Sequence, residues 1–410
     1  MMGSINIQDR KRRVDCAMGR LPADLVIRNG RWVCVQTGEI IPETDVAVID
    51  GKIAYVGDNA GHTIGDTTKV IDAAGKYLVP GLLDGHMHVE SGMLTVTEFV
   101  RAIIPHGTTG IFIDPHEIAN VFGLSGVKLM RDEAAIQPIH VWVQVPSCVP
   151  SAPGMETPGA TLTPADIAEA LTWDGIIGLG EVMNFPGVAH SDEKMLQEIE
   201  LTVGSGKTVG GHYASPDLGT PFHGYAAGGA EDDHEGTTTE DAIQRARQGM
   251  KVMMRYGSAW HDVATQVKAV TEHGQNPRNF ILCTDDSHSH TLFNEGHMDR
   301  VIRHAVEQGL DPVTALHAFR LLGAEVNRCG TIGARHGGGR WIALATGARV
   351  ALRRVEHRAR LVVIDRERPE RPGGDALWQH HFVSLAAVEG IHVRVEEAHQ
   401  ILRADLGNAH

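Results

Sequence analysis

His86 and His88 stand two apart in the run Asp84-Gly-His-Met-His-Val-Glu. On an extended segment, side chains at i and i+2 point the same way, so both rings can reach one ion. Other polar residues close apolar runs in a similar manner: Glu181 after Gly-Leu-Gly, His212 after Val-Gly-Gly, His234 after Asp-Asp, and Asp285-Asp286 after Leu-Cys-Thr. Taken singly, each has a plainer reading, as a surface histidine or a helix cap. Their recurrence at one position of successive runs argues for a site. Mixed imidazole and carboxylate donors suit Zn, Mn or Fe rather than Ca or Mg. Six donors (His86, His88, Glu181, His212, His234 and Asp285) exceed what one four-coordinate ion requires. Two ions with Glu181 between them would use them all, and a hydroxide held between two ions is a strong nucleophile at neutral pH. With 24 histidines in 410 residues, the chain is rich in the commonest metal ligand.

The runs that carry these residues are Gly81-Leu-Leu-Asp, Gly110-Ile-Phe-Ile-Asp, His140-Val-Trp-Val-Gln-Val, Gly175-Ile-Ile-Gly-Leu-Gly-Glu, Lys207-Thr-Val-Gly-Gly-His, Gly228-Gly-Ala-Glu-Asp-Asp-His, Met250-Lys-Val-Met-Met-Arg and Asn279-Phe-Ile-Leu-Cys-Thr-Asp. The sixth is the least apolar. Amphipathic stretches at 163–173, 191–203, 238–248 and 262–273 alternate with them, several opening on Ser, Thr or Asp followed by an acid. Eight β-then-α units predict an α/β fold of the (β/α)₈ TIM-type barrel class, whose chemistry sits at the C-terminal strand ends. Before it, Asp24-Leu-Val-Ile-Arg-Asn-Gly reads as a strand ending in a turn, and 45–57 as a hairpin turning at Asp50-Gly51. The expected organisation is a lead-in over 1–23, a small β-sandwich-like domain over 24–78, the barrel over 79–323 and an arginine-rich tail over 324–410. The small domain is expected to be composite, with residues within 340–400 as the segment that could complete it. In that tail, 360–365 and 391–395 read as strands.

Hydrophobic content of 42% and charged content of 21% describe a globular chain, and the net charge of −14 argues against nucleic-acid or anionic-membrane partners. Five scattered cysteines (Cys16, Cys34, Cys148, Cys283 and Cys329) form no disulfide framework or thiolate zinc module, and fit a reducing cytoplasm. No apolar h-region follows Lys11-Arg-Arg, and no run approaches a membrane span.

The run Pro80-Gly-Leu-Leu-Asp-Gly-His-Met-His resembles the hallmark of the amidohydrolase superfamily. Further motifs resemble its bacterial adenine deaminase branch: Gly85 to Thr95, Pro105-His-Gly-Thr-Thr, Asp114-Pro-His-Glu-Ile-Ala-Asn-Val, Pro146-Ser-Cys-Val-Pro, Gly180-Glu-Val-Met-Asn-Phe-Pro-Gly-Val, Asp233-His-Glu, Cys283-Thr-Asp-Asp and Glu295-Gly-His-Met-Asp. The resemblance implies a binuclear centre of two divalent ions, Mn or Fe with Zn as the other option. Its ligands would be His86, His88, Glu181, His212, His234 and Asp285, with Glu181 where many relatives carry a carbamylated lysine. It implies a small-molecule purine substrate, adenine, hydrolysed to hypoxanthine and ammonia by the metal-bridged hydroxide. Asp285 would then move the hydroxide proton to the departing amine, and Glu235, or else Glu90, would protonate N1. Asp286, His116, Glu117 and Ser147 would line the purine edge or orient ligands. The competing functions are hydrolysis of a cyclic amide or acylated amine by the same site, and an inactive relic. The histidines of Asp286-Ser-His-Ser-His read as a solvated loop, and His106 as structural.

The resemblance ends near Ala318, and the family's chains are longer. The arginine and glycine excess that follows, with no lysine after Lys268, resembles a shifted reading frame of GC-rich DNA, or else marks a short paralogue. Apolar surface left bare by an incomplete small domain predicts instability or homo-oligomer formation.

Overall fold

The computed structural model describes residues 7–316 and, beyond them, the backbones of three strands, Trp341–Ala345, Arg360–Asp365 and His381–Leu385. The helix Ile7–Ala17 precedes the first sheet and buries Cys16 with Ala23, Val26, Ala47 and Ile49. That sheet begins with β1 (Leu25–Cys34), β2 (Glu39–Ile49), β3 (Lys52–Gly57), β4 (Lys69–Asp72) and β5 (Tyr77–Val79). β1, β2 and β3 form an antiparallel meander, while β4 and β5 pair with β1 in parallel. The hairpin turns at Asp50 and Gly51, both at positive φ (49° and 69°), as a two-residue turn between twisted strands requires.

Asn29-Gly30 behaves differently from the turn expected of it. β1 runs through the pair, with Asn29 left-handed at φ 58° and a register shift against β2, which is a bulge. A Cβ on Gly30 would lie 2.4 Å from Leu78 Cγ, so the packing of β5 decides this glycine.

The barrel strands are β6 (Leu82–His88), β7 (Thr108–Ile113), β8 (His140–Val145), β9 (Ile176–Val182), β10 (Thr208–Gly211), β11 (Asp232–Asp233), β12 (Lys251–Arg255) and β13 (Phe280–Cys283). Parallel pairing joins β6 through β10 in chain order, and β11 through β13 likewise. β14 (Asp285–Asp286) continues β13 and pairs with β6 at Met87 and His88. On the other side, the Glu231 N–H donates to the Val209 carbonyl at 2.9 Å, joining β11 to β10. The result is a TIM-type barrel. Its main core lies between strands and helices, from Met87, Ile111, Val143 and Leu179 to Phe99, Val127, Ile167 and Ile199.

Helices start where their capping residues predict. Thr163 and Thr238 form capping boxes with Asp166 and Asp241, and Asp192 accepts from the Met195 N–H. The helix expected over 262–273 is interrupted at Val267 and survives as Val263–Gln266 and Lys268–Thr271. Its density of β-branched residues lowers helix propensity.

The three later strands, β15 (Trp341–Ala345), β16 (Arg360–Asp365) and β17 (His381–Leu385), extend the first sheet, β15 pairing with β5. Arg360–Asp365 was expected from sequence. The other two strands were not, because neither stood out from its surroundings in composition. The strand expected over 391–395 lies outside the described residues. Among the described residues, no helix is long and apolar enough to cross a membrane, and Cys16, Cys34, Cys148 and Cys283 are free and buried.

One buried acid lies away from the strand ends. Glu198, on the helix Glu193–Gly204, is fully buried and meets Lys194 Nζ at 2.9 Å. Burial pushes its carboxyl up from 4.5 to about 7 despite Lys194. The folded state therefore holds a proton that the unfolded chain releases between those pH values. Glu198 costs little stability below pH 4.5, and the cost grows as pH rises to about 7 and then levels off. Glu198→Gln is expected to stabilise the chain by about 2 kcal/mol at pH 8 and negligibly at pH 4. Thermal melts at the two pH values check this, and no gain at pH 8 would contradict it.

Candidate metal centre

The C-terminal ends of β6 and β9, the start of β14 and the residues just after β10 and β11 bring His86, His88, Glu181, His212, His234 and Asp285 together. All but His212 are buried. Glu181 is the hinge of the arrangement. Its Oε1 lies 3.1 Å from His86 Nε2 and 2.7 Å from His88 Nε2. Its Oε2 lies 2.5 Å from His212 Nδ1 and 3.7 Å from His234 Nε2. One carboxylate thus faces two imidazole pairs, one with each oxygen. Asp285 joins the first pair, its Oδ1 being 3.3 Å from His88 Nε2 and 3.9 Å from His86 Nε2.

The proton inventory tests whether these groups fit a cation. His88 Nδ1 lies 2.8 Å from the Asp114 carbonyl, which only accepts, so that nitrogen carries the hydrogen. In the neutral ring Nε2 is then a bare lone pair, and it faces His86 Nε2 at 3.1 Å and Glu181 Oε1. Glu181 Oε1 is buried without a hydrogen-bond partner. Converging lone pairs repel one another unless a positive charge lies among them. Burial alone would raise the Glu181 carboxyl, but the imidazoles of His212, His88 and His234 hold it well below the usual range. The donor set therefore fits divalent metal, and the bond from His88 to a backbone carbonyl is the kind that fixes a ligand tautomer.

Buried groups that the sequence reading passed over hold this geometry. A Cβ on Gly180 would lie 2.2 Å from Asp114 Oδ2, and that open space lets Asp114 accept the Glu181 N–H at 2.7 Å. Asp233, fully buried between His212 and His234 in the fold, accepts from Tyr213 N–H (2.6 Å), Glu235 N–H (2.8 Å) and Arg245 Nε (2.8 Å). Arg255, 1% exposed at the end of β12, donates to Glu235 and Asp285. The available signal for Arg255 was a charge closing an apolar barrel strand. Asp285 sits at φ 58°, a left-handed conformation that costs about 1–2 kcal/mol and turns the chain from β13 into β14.

The remaining candidates divide into engaged and open groups. The Ser147 hydroxyl donates to the Glu181 carbonyl, and Asp286 accepts from Ser91. Glu235 Oε1 accepts from Arg255 and lies 3.7 Å from His234 Nε2 and 3.8 Å from His212 Nε2. By contrast, His116 Nδ1, Glu117 Oε2 and Glu90 Oε2 are buried without hydrogen-bond partners. Glu117 reaches to 3.8 Å of His88 Nδ1, and the His116 and His88 rings lie 4.5 Å apart. Burial, then the neighbouring Glu117 charge, raise the Glu90 carboxyl to about 7. His288 and His290 are exposed, and His106 faces Asp299 at 3.4 Å, away from the cluster.

Known proteins share this arrangement of chain. The Amidohydrolase family pattern matches residues 77–333, well over half of the 410. An adenine deaminase of Mesorhizobium japonicum is 73% identical over 303 residues, which is 74% of this chain and 50% of that protein. Adenine deaminase 3 of Rhizobium meliloti is 68% identical over 310 residues, 76% of this chain and 52% of the other. The chain thus spans about half the length of the curated relatives it matches. A solved dihydroorotase superposes with a TM-score of 0.59 at 14% identity, covering 88% of this chain and 93% of its own, and so shares the fold. With its family pattern running from β5 past the last barrel strand, the chain belongs to the amidohydrolase family.

Proposed function

We propose that the chain hydrolyses adenine to hypoxanthine and ammonia at a binuclear centre. The observation that carries this reading is Glu181, whose two oxygens face separate imidazole pairs in a chain 73% identical over 303 residues to a protein named adenine deaminase. His86, His88 and Asp285 would hold one ion, His212 and His234 the other, and Glu181 both, with Mn or Fe as the metals. When bound, the two ions supply a nucleophile from water at neutral pH.

The chain's own groups do the rest. Asp285 has one oxygen towards the histidines and one held by Arg255, so it is oriented to take a proton near C6 and return it to the leaving amine. Glu235 Oε1 is committed to a guanidinium, and burial raises its carboxyl above the usual range despite that partner. Glu90 has a free buried oxygen and is the better candidate to protonate N1. The unpartnered His116 Nδ1 and Glu117 Oε2 are suited to the purine edge. Ser147 and Asp286, already engaged, act through Glu181 and Ser91 instead.

The test is ammonia release by the Mn²⁺-loaded chain from adenine, against hydantoins and N-acyl amino acids. Turnover of adenine alone is expected, with Glu90→Gln losing about 100-fold or more, within the usual range for a general acid. Hydrolysis confined to the amide panel would assign the site to another amidohydrolase reaction. Fewer than one transition-metal ion per chain, with no ammonia, would mark a relic.

A further inference from the structure

Arg255 lies among three carboxylates. Its Nη1 donates to Glu235 Oε1 and to Asp285 Oδ2 (3.0 Å), its Nε donates to Asp262 Oδ2 (2.9 Å), and the guanidinium lies 4.9 Å from the Trp260 ring centroid. The two acids it joins belong to different halves of the centre. Asp285 turns its other oxygen to His88 and His86, whereas Glu235 approaches His212 and His234.

The backbone around Arg255 is fixed to the strand that carries Asp285. The Tyr256 N–H donates to the Cys283 carbonyl (3.0 Å), and the Ser258 N–H donates to the Asp286 carbonyl (2.8 Å). Arg300 Nη1 donates to the carbonyls of Tyr256 (3.0 Å) and Gly257 (3.1 Å). A Cβ on Gly257 would lie 2.2 Å from the Thr284 carbonyl oxygen, so the two segments touch through bare backbone. The separation between Arg255 and Asp285 is therefore set by main chain on both sides.

We propose that Arg255 is a positioning residue: it holds Asp285 and Glu235 in register across the two halves of the centre, and is itself held by Asp262 and Trp260. The inference rests on reading the cluster as a hydrolytic metal centre. A carboxylate alone rotates about its last bond and can present either oxygen. A planar guanidinium that takes Oδ2 leaves Oδ1 for the histidine side, and the same group fixes Glu235. A lysine is a compact point charge whose three donors share one nitrogen on a flexible stem, so it lacks the planar fork that reaches two acids from Nη1 and a third from Nε at set angles.

The experiment compares Arg255→Gln, Arg255→Lys and Asp262→Asn with the parent chain. It reads kcat and KM for adenine with Mn²⁺, the melting temperature, and the visible spectrum of the Co²⁺-loaded chain. For Arg255→Gln, kcat is expected to fall roughly 10–100-fold, the scale of a lost partner to a ligand, with KM within about threefold. The Co²⁺ bands should shift, because Asp285 is released. Arg255→Lys should fail to restore either property. Asp262→Asn should show the same pattern with a smaller fall. A folded Arg255→Gln chain with parental kcat and a superimposable Co²⁺ spectrum overturns the proposal. If Arg255→Gln does not fold, parental values in Asp262→Asn overturn it. A parent chain that releases no ammonia from adenine defeats the substrate reading alone, since the Co²⁺ spectra still report on Arg255.

Discussion

Replacing Glu181 with glutamine is expected to lower the proposed adenine deamination by at least ~10³-fold, about 4 kcal/mol of barrier, and to reduce bound metal below that of the parent chain. Glutamine keeps the size and shape of the side chain, so packing around this 3% exposed position is preserved. What changes is charge and proton inventory. Glu181 Oε1 and Oε2 each face imidazole nitrogens, and its carboxyl is held ionised by them. An amide would turn N–H donors towards one of the two histidine pairs and would remove the anion that both share. The Asp114 bond to the backbone N–H at position 181 is untouched by the change, so a loss would report on the carboxylate itself. Metal analysis of the purified variant beside the adenine assay checks this. Parental activity and metal content would sink the bridging assignment.

The largest expected loss of stability follows from Arg245→Met. Arg245 is 1% exposed and Asp233 is fully buried, and they meet at 2.8 Å. Arg245 Nη2 also donates to the Tyr213 carbonyl at 2.8 Å. Removing the guanidinium leaves Asp233 charged in the interior with only backbone donors, and breaking a buried pair in this way costs about 3–5 kcal/mol. Asp233 bonds the N–H groups that follow His212 and His234, so the damage reaches the second histidine pair. A fall of about 10 °C in melting temperature is expected. The double variant Arg245→Met with Asp233→Leu should recover part of it, because no unpaired charge remains. A melting temperature for Arg245→Met equal to that of the parent would mean that the backbone donors satisfy Asp233 unaided.

These two residues mark where sequence reading succeeds and where it stops. Glu181 was legible because a strand buried on both faces reads as a continuous apolar run, so a charge at its end stands out. The same logic picks out His86, His88, His212, His234 and Asp285, and the spacing of these strand ends predicts the barrel. Arg245 and Asp233 were not legible as parts of a site, and Asp114 and Arg255, though they close apolar strands, gave no hint of the groups they hold. A charged residue looks the same in sequence whether it is solvated or buried, and its meaning depends on a partner that is distant in the chain. Asp114 and Glu181 are 67 positions apart, and Arg255 and Asp285 are 30 apart.

Local chemistry shows the same limit. Asp50-Gly51 and Asn29-Gly30 are similar signals, yet one is a hairpin turn and the other a bulge, since Leu78 packs against Gly30. Periodicity and strand-end polarity, which are properties of neighbours along the chain, determined by themselves the barrel and singled out the six candidate donors. Only the tertiary structure decided how the donors are grouped, which oxygen of Glu181 meets which pair, and which buried cations hold the acids. Those outcomes depend on contacts between strand ends that only barrel closure brings together.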